Sequence, residues 1–246
     1  MFTVQRIPPR ESLAEFVDYH WLVRWDVPGT YRQQVVPQPR IHLAAEQGRL
    51  LVHGVSREPF ERALSGRGLV LGTAFHPAGF HPMLKRSVNE VSDTVQTGLD
   101  VLDVDDRAVA ELILADESDE ELVAAMEEYL LAVGPRPDEN ARRVNDLVAE
   151  AERRREIRRA EQLAEVAGMS LRALQRLFTE YVGIGPKWVI QRFRILDAAA
   201  AAHAETPVDW AALAQDLGFS DQAHLTRVFT QVVGTPPATY RRDPGT

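Results

Sequence analysis

Cysteine is absent from the 246 residues. That excludes a disulfide framework, a thiol nucleophile and a thiolate metal site. Long apolar runs are missing too: no stretch of about 18 residues could span a bilayer as a helix. The opening residues, Met1-Phe2-Thr3-Val4-Gln5-Arg6-Ile7-Pro8-Pro9, lack the continuous apolar segment of a signal peptide. These absences lead us to expect a cytoplasmic protein with no membrane partner. Net positive charge is also lacking, since the chain carries −8. A surplus of base is the usual electrostatic footprint of a nucleic-acid binder, so bulk composition does not suggest one.

The charge is unevenly placed. Residues 1–140 hold 13 Arg/Lys against 23 Asp/Glu, whereas residues 141–246 hold 15 against 13. The acidic excess therefore belongs to the first part alone. Gly134-Pro135-Arg136-Pro137-Asp138 cannot continue a helix and marks the boundary between the two parts. Before it, short extended runs at Ile41–Ala45, Arg49–His53, Phe60–Leu64 and Gly68–Phe75 are separated by turn signals, among them Ser65-Gly66-Arg67-Gly68. Apolar residues from Val109 to Leu131 then recur at helical spacing in two helices over about 105–132, with Ser118 as a cap ahead of Glu121. The expected fold class is α+β. A small antiparallel β barrel or sandwich with a helical pair spans 1–133, a linker spans 134–139, and an all-α domain spans 140–246.

The second part contains an internal repeat. Leu163-Ala164, Gly168 and Ser170 recur 50 residues later as Leu213-Ala214, Gly218 and Ser220. Leu174-Gln175-Arg176-Leu177-Phe178-Thr179 recurs as Leu225-Thr226-Arg227-Val228-Phe229-Thr230, now 51 residues apart, and Gly183 and Pro186 match Gly234 and Pro237. The second copy has one extra residue, in its turn or at its helix start. Each glycine suits a left-handed residue that ends a helix, and each serine suits the cap of the next. Leu163, Leu174, Leu177 and Phe178 point inward, as do Leu213, Leu225, Val228 and Phe229. Arg172, Gln175 and Arg176 are left on the outer face of one helix, and Gln222, Ala223, Thr226 and Arg227 on that of the other. Two helix-turn-helix motifs would present such faces to the major groove. Arginine can bond guanine O6 and N7, glutamine suits adenine, and threonine can contact a thymine methyl.

Residues 140–242 resemble the DNA-binding domain of AraC/XylS-type transcriptional regulators. The resemblance rests on Gly168-Met169-Ser170, Leu174–Phe178, Gly183-Ile184-Gly185-Pro186, Arg192, Arg194 and Ala198. It rests also on Gly218-Phe219-Ser220-Asp221-Gln222, Leu225–Phe229 and Gly234–Arg241. It implies seven helices, with a long connecting helix at about Lys187–His203, and two recognition helices in successive major grooves about 34 Å apart. Carried over by position, the base-reading side chains fall on Arg172, Gln175, Arg176, Gln222, Ala223, Thr226 and Arg227. Ala223 departs from the longer polar residue common there and cannot donate a hydrogen bond. Arg153–Arg155 are open to two readings, phosphate contacts or a solvated basic turn. The expected partners are double-stranded DNA, RNA polymerase, a small-molecule effector and a second copy of the chain, with no cofactor, metal or catalytic residue.

The first part fits a cupin-like barrel in outline, and Tyr19-His20-Trp21, Val35-Val36-Pro37 and Gly72–Phe80 resemble a less characterised class of regulator N-terminal domains. His42, His53, His76 and His81 raise a metal reading, but no spacing among them forms a compact ligand motif. Trp21, Trp25, Tyr31 and Phe80 could line an apolar pocket or pack a core. The helical pair could cover the barrel or form a dimer face. Two rival functions remain at this point: a metal-dependent barrel enzyme with a helical accessory, and a helical interaction module without DNA binding.

Overall fold

A computed structural model of the chain describes residues 2–115, 118–202 and 208–240. Its sheet is antiparallel and six-stranded, in the order β1-β2-β5-β3-β4-β6. The strands are β1 (Phe2–Ile7), β2 (Val17–Val35), β3 (His42–Glu46), β4 (Arg49–His53), β5 (Phe60–Phe75) and β6 (Val95–Thr97). β4 lies where the alternation places it, and β3 begins and ends one residue later than expected. The two runs expected at Phe60–Leu64 and Gly68–Phe75 are instead halves of one strand. The supposed turn at 65–68 does not reverse the chain: Gly66, at φ +61°, pairs with Val27 beside a register shift between Val27 and Thr30. A left-handed glycine with an extra residue opposite makes a bulge, which bends a strand without ending it. Pro28-Gly29 on the facing strand sits in the same irregularity, and such punctuation hides the continuity of β2.

Alternation puts Trp21 and Trp25 on one face of β2, opposite Gly72 and Gly68 of β5. A Cβ at those glycines would lie 2.2 and 2.1 Å from the indole rings. The glycines are therefore the space into which the tryptophans pack.

The other face is the core. Leu22, Leu43, Leu50, Val52 and Leu71 are buried against α3 (Asp106–Ile113) and α4 (Asp119–Val133), which are the expected helical pair. Ser118 caps α4, accepting the Glu121 N–H at 3.2 Å. Two shorter helices, α1 (His81–Leu84) and α2 (Gly98–Leu102), and 3-10 turns at Glu11–Leu13 and Val88–Val91 complete this part. A buried polar seam crosses it. His20 Nδ1 meets Thr73 Oγ1 at 2.9 Å, and Glu127 accepts from the Arg10 backbone at 2.6 Å and from its guanidinium at 2.7 Å. Burial holds the His20 imidazole below its ordinary range.

α4 ends at Gly134, left-handed at φ +68°, and Asp138 caps α5 (Glu139–Arg153). One hydrophobic cluster runs from Leu13 to Phe193, so α5 and the segment up to the middle of the connecting helix share a core with the sheet. Residues beyond it gather in a second cluster around Ile195, Ala214, Leu225 and Phe229.

Candidate nucleic-acid interface

The first motif is α6 (Ala160–Val166) and α7 (Leu171–Tyr181); the second is α9 (Trp210–Asp216) and α10 (Gln222–Val233). Both first helices close in the same way. Met169 N donates to Ala164 O at 3.0 Å, and Phe219 N to Ala214 O at 2.9 Å, around Gly168 and Gly218 at φ +62° and +82°. This six-to-one bond is the Schellman closure, which needs a left-handed residue. Ser170 caps α7 through the Ala173 N–H at 3.2 Å. In the second motif the expected cap, Ser220, is displaced: Asp221 caps α10, accepting from His224 N at 2.7 Å. The extra residue of the second copy is thus in the turn, and the cap moves one place along while each helix keeps its leucine four residues after its cap.

The connecting helix, α8 (Pro186–Ala201), starts at a proline in its first turn, where a missing N–H costs nothing. The expected end at His203 lies outside the described residues. Six of the seven implied helices, α5 to α10, lie within them. After α10 the chain makes a turn closed by Tyr240 N on Pro236 O at 2.9 Å, and residues 241–246 are outside the described part.

Amphipathic spacing orients the second helix of each motif. Leu174 and Phe178 are fully buried beneath α7, and Leu225 and Phe229 beneath α10. Each such side chain contributes about 1.5–3 kcal/mol and fixes the rotation of its helix. Arg172, Gln175 and Arg176 are exposed as a result, as are Gln222, Ala223 and Arg227, while Thr226 is half-buried. Among the described residues, no hydrogen bond or ion pair engages Arg172, Arg176 or Arg227.

Several other arginines beyond residue 140 are taken up internally. Arg153 pairs with Glu150, Arg154 with Glu156 at 2.8 Å, and Arg155 with Asp197 at 3.0 Å. Arg194, part of the quoted resemblance, is buried: it donates to the carbonyls of Ala151, Arg154 and Ile157 and pairs with Asp197 at 2.8 Å. A cation there satisfies acceptors that the end of α5 leaves unpaired. Arg192 is buried against the first part of the chain. It donates to Arg57 O at 3.3 Å and lies 4.5 Å over the Trp188 ring, and burial pushes its guanidinium down to about 10.

One further polar side chain on α10, not singled out from the sequence, is in the first turn of the helix. His224 is half-buried, with Nδ1 3.1 Å from Ser220 Oγ and 3.5 Å from the Ser220 backbone nitrogen, and its ring meets Phe219 edge-on at 5.4 Å. The signal for it is a histidine where the first copy has Ala173, visible only once the one-residue shift is located.

The candidate residues of the first part do not converge. His42 accepts from the Trp21 indole N–H at 3.1 Å, His53 meets Glu46 at 2.7 Å, and His76 reaches Ala14 O at 3.2 Å. His81 stacks on Tyr181 at 4.0 Å. Among the described residues no three metal-ligating side chains gather. Phe80 is in the core against Phe75, and Tyr31 packs on Phe2, so neither joins Trp21 and Trp25 around a common pocket.

The first part also grips the first motif. The 3-10 turn at Val88–Val91 lies along α7, and Ser92 Oγ donates to Gly183 O at 2.9 Å. Asn145 of α5 accepts from Ala78 N at 2.9 Å.

Comparison with known proteins gives two family matches. Residues 163–243 match a family described as a helix-turn-helix domain, and residues 5–97 match a domain of unknown function, DUF6597. The chain is 26% identical over 222 residues to the transcriptional activator NphR of Rhodococcus sp, covering 88% of this chain and 58% of that protein. It is 34% identical over 82 residues to a putative AraC-like transcription regulator of Streptomyces lividans, covering 33% of this chain and 27% of that protein. The chain thus spans less than two thirds of the length of either relative. Among solved structures, ToxT of Vibrio cholerae aligns over 98% of this chain and 97% of its own at 12% identity, with a TM-score of 0.40. No helix among the described residues is long and apolar enough to cross a membrane. Residues 163–243 thus form a helix-turn-helix domain similar to that of AraC-like regulators, preceded by a segment, residues 5–97, that matches the domain of unknown function.

Proposed function

We propose that the protein is a sequence-specific transcription regulator, without enzymatic activity, that acts in the cytoplasm by binding double-stranded DNA. The observation that carries this reading is the pair of exposed recognition faces whose arginines, Arg172, Arg176 and Arg227, have no internal partner, while Arg154, Arg155 and Arg194 do. The reading residues are Arg172, Gln175 and Arg176 in the first motif and Gln222, Ala223, Thr226 and Arg227 in the second. Residues 1–133 form the regulatory domain, joined through 134–139 to the DNA-binding domain at 140–246. A small-molecule effector, a second copy of the chain and RNA polymerase are its further partners. NphR, a transcriptional activator similar over most of this chain, supports the same class of function. Genomic footprinting of the full-length protein tests the reading. Protected sites should share a sequence spanning two successive major grooves. Arg176→Ala and Arg227→Ala should each cost roughly 1–3 kcal/mol on such a site and relax one base position. Affinity should also fall steeply with salt as phosphate contacts release counterions. An unchanged footprint in both variants, or affinity indifferent to salt, would overturn it.

A further inference from the structure

Superposing the two reading helices by their caps places Arg172 on Ala223, Ala173 on His224, Gln175 on Thr226 and Arg176 on Arg227. The second motif lacks the long donor of the first position and has an imidazole one residue later. The backbone N–H of Ser220 points at Nδ1 of His224 at 3.5 Å, and with Nδ1 accepting there the proton of the neutral ring is on Nε2. Ser220 Oγ at 3.1 Å and the edge-on Phe219 ring hold its orientation, and Oγ is in turn 3.2 Å from Asp221, the helix cap. Nε2 has no partner among the described residues and is not among their buried unpartnered atoms. His224 is in the first turn of α10, one residue after Ala223 and three before the exposed Arg227.

We infer that His224 is a DNA-contacting residue of the second motif, donating from Nε2 to an acceptor atom of the duplex, a phosphate oxygen or a purine N7. It restores the donor that Ala223 lacks, and Ser220 is its positioning residue. The extra residue in the second turn has a consequence here: it separates the cap, Asp221, from Ser220, which is freed to orient the ring. This inference rests on the DNA-binding reading above.

The test uses the full chain and a duplex of about two turns, selected by the wild-type protein from a randomised pool. His224→Phe keeps an aromatic ring against Phe219 and removes the donor. It should bind about tenfold more weakly with an unchanged thermal midpoint, as expected for one lost hydrogen bond. It should also lose one interference position in the second half-site. Loss on phosphate ethylation identifies the phosphate oxygen, and loss on 7-deazapurine substitution identifies N7. His224→Gln, which retains a donor, should bind within about threefold of wild type. Phe and Gln variants that bind alike, or a Phe variant with wild-type affinity and interference pattern, would overturn the assignment. Failure of the wild type to select any duplex would instead remove the DNA-binding reading itself, and this inference with it.

Discussion

Gly168 and Gly218 occupy equivalent turns, yet a side chain would meet different surroundings at each. A Cβ at Gly168 points into open space, whereas at Gly218 it would lie 2.7 Å from Cδ of Arg158 and 3.0 Å from its Cβ. Both residues are left-handed, at φ +62° and +82°. Gly168→Ala should therefore cost only the conformational penalty, about 1 kcal/mol. Gly218→Val adds a β-branched clash against the Arg158 stem and should cost roughly 3 kcal/mol. Denaturant midpoints of the two variants check the contrast, and a wild-type midpoint for Gly218→Val would show the turn to be unstrained. The need for glycine was legible in the repeat, because helix termination is a local event. The different packing was not, since Arg158 and Gly218 are 60 residues apart.

At the scale of elements, the repeat predicts equal caps and the structure assigns unequal ones. Ser170 bonds the third residue of α7, while in the second motif that role falls to Asp221 and not to Ser220. Ser170→Ala and Asp221→Ala should each lower stability by about 1 kcal/mol. Ser220→Ala should leave stability within about 0.5 kcal/mol of wild type, as is usual for exposed positions outside such features. Thermal melts of the three variants decide it: a Ser220→Ala loss as large as that of Asp221→Ala would restore serine as the cap. The strands show the opposite balance of legibility. β4 was readable to the residue because its alternation is regular and turn residues bound it. β1 and β2 were not, for β1 pairs only through β2, and Pro28-Gly29 imitates a strand end where the long β2–β5 ladder absorbs it as a bulge.

Across the whole molecule, buried His20, half-buried His42 and buried carboxylates tie stability to pH. Burial among the strands, reinforced by the guanidinium groups of Arg40, Arg6 and Arg62 and by His53, pushes His42 down to about 3, and burial lowers His20 as well. The folded state therefore binds fewer protons than the unfolded one below the ordinary histidine range. Stability is intact above about pH 6.5 and declines as pH falls below it, by at most about 1.4 kcal/mol per pH unit for each histidine. Glu46, beside His53 and Arg62, and Glu127, beside Arg10, are held below the usual carboxylate range and add to the loss only at lower pH. Urea midpoints measured from pH 7 to pH 5 should fall steadily, and a flat profile would show that neither histidine is held neutral by the fold. The sequence by itself determined the double motif, its left-handed glycines and the exposed polar faces of its second helices, because helical periodicity and chain reversal depend on residues a few places apart. Tertiary structure alone decided which arginines are taken up by distant partners. Arg155 meets Asp197 and Arg194 meets the end of α5 across some 40 residues of chain, and only the packing of α8 against α5 brings them together.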